Sequence, residues 1–267
     1  MSIKGSSSIS SRYIENSTRQ INNSQRKLAS GKRVDKGSDD AAAIAIVSAL
    51  ESDAAKLEVA NRNIDYGRSF SDIADSTLSM VGDMKNRMQE LAMQSANGTY
   101  SDEQRAQMKA EYDALAEEAQ RTMETANFNG KNVFSGDMAI QAGVDGSSNS
   151  RISVATANIS EAISKLSSVD ISTQEGATSA LDTLSTIETE ISSARGEVGV
   201  NESRLNVASS NNSSMKVNVE TVASKIRDVD VAEESANNVA SNIRQNASVA
   251  IMAHSNQSAN VVQQLLG

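Results

Sequence analysis

His254 is the only histidine in a chain without cysteine, so the usual nitrogen and sulfur ligands of a metal, or the partners of a nucleophile, have nothing to combine with. It falls on the apolar line of the last helical segment, where a packed or interface histidine is expected. The acidic pairs Asp39/Asp40 and Glu117/Glu118 are the residues closest to an acid–base constellation. One pair stands at a helix start and the other on a helix surface, where capping and solvation account for them. Asp145-Gly146 lies in a glycine-rich turn and does not complete an EF-hand loop. No phosphate loop of the GxxxxGK[ST] type occurs. The expected protein is not an enzyme and needs no cofactor or metal.

With no chemistry to position, the helical pattern carries the information. From Ala41 to about Asn97, Leu50, Leu57, Ile64, Leu78 and Ala92 share one seven-residue comb, interrupted by Ser71 and Lys85. Ala60, Ala74, Val81 and Met88 sit three residues later, with Gly67 among them. This a/d pattern buries a narrow stripe against partner helices. A helix of that length reaches roughly 85 Å at 1.5 Å per residue, so it needs partners from elsewhere in the chain or from other copies. The 267 residues include no proline and no tryptophan, with four tyrosines and three phenylalanines. Long slender helices fit that composition better than a thick globular core.

Residues 1–34 form an arm with Ile14, Ile21 and Leu28 as a thin apolar line and a charge balance of +6. Gly31 to Asp40 reads as a linker, after which Ser38 or Asp39 suits the N-cap of the long helix. Gly98 ends that helix, and Ser101 to Gln104 form a capping box for the next, whose stripe is Met108, Tyr112, Leu115, Ala119 and Met123. Such a short turn predicts antiparallel packing. Past Phe128-Asn129-Gly130 the period changes, and Lys131–Phe134, Met138–Ala142 and Arg151–Ala155 read as small strands. Residues 156–176 suggest a short helix and a loop.

From about Ser179 the heptad returns: Leu184, Ile191, Val198, Leu205, Val219 and Ile226 on one comb, broken by Asn212, and Ile187, Ala194, Ala208, Met215 and Val222 on the other, broken by Asn201. A last arm, residues 230–267, has Val231, Val239, Ile243, Ala247, Ile251, Val262 and Leu265 as its apolar line and a balance of −2. The expected fold is mainly α: a long-helix bundle and coiled coil with a small β-hairpin region at about 131–155. The expected division is 1–34, 35–229 and 230–267. Bundle-core positions are Leu50, Leu57, Ile64, Leu78, Leu184, Ile191, Leu205 and Val219; assembly positions on the arms are Ile14, Ile21, Leu28, Ile243, Ile251, Val262 and Leu265.

The net charge of −9 argues against general nucleic-acid binding. No stretch is long and apolar enough for a bilayer span, and MSIKGSSSIS lacks a signal-peptide core. Export, where it occurs, is expected by a route without a cleaved signal peptide.

These features lead to a family. LASGKRVDKGSDDAAAIAI (Leu28–Ile46), through Leu28, Ser30, Gly31, Arg33, Asp39, Asp40, Ala41 and Ala42, resembles the linker and helix start of bacterial flagellins. Asn63, Gly67, Ser69 and Leu78 continue the likeness, as do MQELAMQSANGT (Met88–Thr99) and FNGKNVFSG (Phe128–Gly136). Ile226–Val231 and Val249–Leu266 are similar to the family's terminal helix. Ala43 stands where the family often has glycine and Ser258 where it often has proline; the first dozen residues are atypical as well. The outer variable region is reduced to about Gly136–Glu175, a short form.

The resemblance implies a structural subunit that polymerises into an extracellular helical flagellar filament for motility. The alternatives are a hook–filament junction protein, and a cytoplasmic coiled-coil scaffold. It further implies type III export unfolded, self-association through both terminal arms, the flagellar export apparatus, a chaperone on the C-terminal arm and a distal filament cap. Arg87, Leu91 and Glu111 match positions at which flagellins engage a vertebrate Toll-like receptor, the expected route of innate immune recognition. Each arm alone has too thin a stripe to hold a helix against chain entropy, so the arms are expected to order only on assembly.

Overall fold

The computed structural model describes residues 2–156 and 159–266, and leaves the side chains of 2–10, 259, 262, 263, 265 and 266 undescribed. The elements in chain order are α1 (Ser2–Ser30), α2 (Ala41–Ala96), α3 (Asp102–Thr125), β1 (Asn127–Phe128), β2 (Lys131–Asn132), β3 (Met138–Gln141), β4 (Arg151–Val154), α4 (Ser160–Leu166), α5 (Gln174–Arg227) and α6 (Val231–Leu266). Residues 1–54 with 217–267 form one compact unit and residues 55–216 a second. The boundaries expected from the arms alone, at 34 and 230, therefore fall inside the first unit.

In the unit of residues 55–216, the a/d stripes of α2 and α5 meet antiparallel, with Arg195 of α5 paired to Asp75 of α2 (2.9 Å) and Lys216 to Glu58 (3.1 Å). Leu57, Ile64, Leu78, Leu184, Ile191 and Leu205 are all buried. Leu50 and Val219, expected in the same core, lie in the other unit and are only half-buried. The principal buried cluster draws on α3, α4 and the strands and begins at Ile64, so those two positions lack the covering layer.

The α3 N-terminus carries the capping box in full: Ser101 Oγ accepts from Gln104 N, and Gln104 Oε1 accepts from Ser101 N. α3 returns along α2, burying Tyr112, Ala116, Ala119 and Met123. β1 and β2 form a two-residue hairpin through Asn129 (φ 50°) and Gly130 (φ 78°). Two successive left-handed residues are what a type I′ turn demands, and Asn-Gly supplies them. The sequence pattern placed that turn but not β1 before it. Val133 and Phe134, expected in a strand, instead leave β2 and enter the core. β3 and β4 pair antiparallel with Ala139 opposite Ser153 and Ile140 opposite Ile152. Phe70 of α2 meets Phe128 edge to face at 6.3 Å.

Two helix starts differ from expectation. Asp40, not Ser38 or Asp39, caps α2: its Oδ1 accepts from Ala42 N and Ala43 N, both at 3.0 Å. α5 begins at Gln174, five residues before the heptad, because Thr173 Oγ1 accepts from Gly176 N (3.0 Å) and caps a turn that Gly176 disguises in sequence.

Candidate assembly interface

The two arms run antiparallel in contact. Lys27 reaches Glu234 (3.7 Å), Gln245 Nε2 donates to Thr18 Oγ1 (2.7 Å), and Ser11 faces Met252. Between these points the seam is polar and small. Ser17, Ile21 and Ser24 of α1 are buried, as is Ser241 of α6, and Asn238, Gln245, Ser248 and Met252 are half-buried. Ile14 and Leu28 flank it, also half-buried.

This seam differs from the apolar line read in the sequence. Ile243 and Ile251, read from the sequence as assembly positions, are 63% and 62% exposed in the single chain, and Val231, Val239, Val249 and Val261 are exposed with them. His254 is exposed too. α6 turns its small polar residues to α1, where they find polar partners across the contact, Gln245 on Thr18 and Asn238 on the Ile21 carbonyl. Its larger apolar residues are left on the outside. Val262 and Leu265 lie among side chains that are not described. Both arms are helical, and each lays a stripe against the other.

The linkers between arms and long helices are joined. Arg33 N donates to Arg227 O (2.6 Å) and Val229 N to Gly31 O (3.0 Å), with Lys32 opposite Asp228 in an antiparallel bridge. The Arg33 guanidinium donates to Ile226 O at the end of α5. Asp39 folds the next turn: its carboxylate accepts from Lys36 N (3.1 Å), Asp35 N (3.2 Å) and Arg26 Nη2 (2.9 Å). Those backbone amides, with Lys36 first, and then the Arg26 charge hold the Asp39 carboxyl below the usual carboxylate range. Sequence reasoning had read this stretch as a plain spacer. The signal that could have found it is Asp39 itself, a short acid among turn residues.

The receptor-type residues separate. Arg87 donates to Glu111 Oε1 from Nε (2.9 Å) and Nη2 (2.8 Å), and to Glu90 (2.8 Å). Those carboxylates, Glu90 first and Glu111 next, raise the Arg87 pKa further. This exposed pair joins α2 to α3. Leu91, one turn along, is 1% exposed and belongs to the hydrophobic core, so it underlies the patch and is no part of its surface. Among the described residues, no helix is long and apolar enough to cross a membrane.

Residues 1–139 match the bacterial flagellin N-terminal helical region and residues 181–266 the bacterial flagellin C-terminal helical region. The chain belongs to the bacterial flagellins. The flagellar filament 30.7 kDa core protein of Treponema maltophilum is 30% identical over 98% of this chain and 97% of its own length. A flagellin of Halalkalibacterium halodurans is 31% identical over 90% of this chain and 89% of its own. The flagellin fold expected from the sequence is the one observed. In fold alone the chain is also similar to a putative flagellar hook-associated protein from Vibrio parahaemolyticus, with a TM-score of 0.59 at 16% identity, over 71% of this chain and 100% of the other. Flagellins are structural proteins, and the paired terminal helices described above lie in the segments that carry this family's match.

Proposed function

We infer that the chain is a filament subunit whose two terminal arms, roughly 1–34 and 230–267, are its assembly elements. The observation that carries this reading is the apolar face of α6. Ile243 and Ile251, with Val239 and Val249, stand in water on an arm whose intrachain seam is polar. Apolar surface in that amount is costly to leave exposed and marks a protein-binding face. A head-to-tail contact between copies is heterologous and open, so it propagates as a helical filament and does not close into a ring. The absence of proline and cysteine leaves the helices uninterrupted and removes slow prolyl isomerisation and disulfide trapping from refolding at a growing tip.

The finer partners follow from the same reading. The subunit passes unfolded through the flagellar export apparatus, a chaperone shields the apolar face of the C-terminal arm beforehand, and a distal cap admits each copy. The exposed Arg87–Glu111 pair is the polar part of a patch for the vertebrate Toll-like receptor, with Leu91 holding α2 in place beneath it.

Salt-induced polymerisation of the purified chain, followed by electron microscopy, tests the filament reading. Long hollow filaments of uniform width are expected. Particles that stay monomeric, or that grow only as short oligomers on preformed hook ends, point instead to a junction protein.

A further inference from the structure

The chain contains two Asn-Gly pairs, Asn97-Gly98 and Asn129-Gly130. In such a pair the backbone nitrogen of the glycine can attack the asparagine side-chain amide, because no glycine side chain shields it. The two sites differ in what surrounds them. Asn97 and Gly98 lie exposed in the turn between α2 and α3. Asn97 Oδ1 accepts from Thr99 N and from Thr99 Oγ1, both at 3.1 Å. The first of these bonds closes an Asx turn, a ring that includes both Asn97 Cγ and Gly98 N. The backbone oxygen of Asn97 accepts from Arg105 Nη2 (3.0 Å) and Tyr100 N (3.3 Å). Arg105 is almost fully buried, and its Nη1 has no hydrogen-bond partner among the described residues.

These donors meet the two atoms at which charge develops. Loss of the Gly98 amide proton spreads negative charge onto the Asn97 backbone oxygen through amide resonance. A buried guanidinium held against that oxygen favours the anion. Attack on Cγ then drives charge onto Oδ1, where the two Thr99 donors stand as in an oxyanion hole. We propose that the α2–α3 turn is a self-modifying site, in which Asn97 closes to a succinimide and opens to aspartate or isoaspartate. Gly98 N bonds to Asn97 Cγ, the Cγ–Nδ2 bond breaks, and ammonia leaves carrying the proton that Gly98 lost. Water then opens one C–N bond of the imide ring: breaking the new bond gives aspartate, breaking the original backbone bond gives isoaspartate. No oxidant or reductant takes part. The groups that promote the step come together only in the folded turn, so conversion marks the time a chain has spent folded. Asn129 lacks them. Its backbone is fixed at φ 50° in the type I′ hairpin, and its side-chain amide meets no such donor among the described residues.

The test ages the full-length chain in mildly alkaline buffer, folded or in guanidinium chloride. Both Asn-Gly sites are followed by peptide mass mapping with enzymatic labelling of isoaspartate. In denaturant the two sites are expected to convert at similar rates. In the folded chain Asn97 is expected to convert several-fold faster than in denaturant, and Asn129 several-fold slower. Thr99→Val, at an exposed site, removes one oxyanion donor. It is expected to slow Asn97 several-fold in the folded chain and to leave the denatured rate unchanged. A β-carbon on Gly98 would meet only the Gln174 side chain, at 3.6 Å or more, so Gly98→Ala is expected to fold normally and to lose most of the conversion. Arg105→Met separates chemistry from support. An arginine that merely braced the turn would, once removed, loosen it and raise conversion, whereas loss of the charge on the Asn97 oxygen lowers it. Folded Asn97 converting no faster than in denaturant, or a Thr99→Val rate equal to that of the unmodified chain, overturns the proposal, and so does a rise in Arg105→Met.

Discussion

Asn212 stands in the apolar seam of α5 and donates its Nδ2 to the carbonyl of Ala142, 2.7 Å away and buried. The position interrupts the comb because the end of β3 docks there. Removing the amide leaves a buried carbonyl unpaired, which costs about 1–3 kcal/mol. Asn212→Ala is accordingly expected to lower stability by that amount in denaturant unfolding, and Asn201→Ala to do the same through the Ala155 carbonyl, which Asn201 holds at 2.6 Å. Effects near zero at both sites would show that the β segments do not depend on these amides.

The other interruptions have parallel causes. A β-carbon on Gly67 would sit 3.0 Å from Ile140 Cγ1 and 3.4 Å from Leu205 Cδ1, so glycine leaves room for β3 against α2. Lys85 is buried and ion-paired with Glu188 across the bundle. The heptad period made both long helices, the α2–α3 turn and most of the core legible, because period-3.5 burial is local in sequence. What replaced a missing seam residue was not legible, since each partner lies far along the chain. Ala142 is 70 residues from Asn212. The outward face of α6 was hidden for a related reason. An apolar line says that a face is to be covered, but not whether by the same chain or another, and here the seam fell to Asn238, Ser241 and Gln245.

Seam leucines are expected to dominate bundle stability. Leu57→Ala and Leu205→Ala, both at almost fully buried sites, should each cost about 2–5 kcal/mol. Asn206→Ala, exposed and adjacent to Leu205, should cost under about 0.5 kcal/mol. Thermal unfolding followed by circular dichroism separates them, and three equal small shifts would be inconsistent with a packed bundle.

At the Arg87 patch, stability and recognition should split. Leu91→Ala removes a core side chain and is expected to cost about 2–5 kcal/mol. Arg87→Ala or Glu111→Ala breaks an exposed, solvent-screened pair and is expected to leave stability almost unchanged. In receptor-expressing reporter cells treated with monomer, the two charge variants are expected to lose signal at unchanged fold. Full signalling by Arg87→Ala/Glu111→Ala would remove the pair from the receptor surface.

The joined linkers between arms and long helices should be acid-sensitive. The Asp39 carboxyl is held below its ordinary value of 3.8, first by Lys36 N and then by Asp35 N, with Arg26 adding to both. A depressed carboxyl contributes stability that is full above that ordinary value and is lost as pH falls from there through the folded-state value. Asp228, lowered by Ser224, Arg227 and Lys32, acts in the same direction. Hydrogen exchange at the Asp35, Lys36 and Val229 amides, corrected for intrinsic rates, should lose protection as pH drops below 3.8. Protection that persists unchanged to pH 2 would contradict it.

Whether the outward apolar face of α6 builds the filament is decided by the double variant Ile243→Asn/Ile251→Asn. Both side chains are more than half exposed in the single chain, so helicity and thermal unfolding of the monomer are expected to match the unmodified protein within about 0.5 kcal/mol at each site. Electron microscopy after the same salt-induced polymerisation is expected to find no filaments. Filaments of normal width and yield from the double variant would contradict the assignment of that face to assembly.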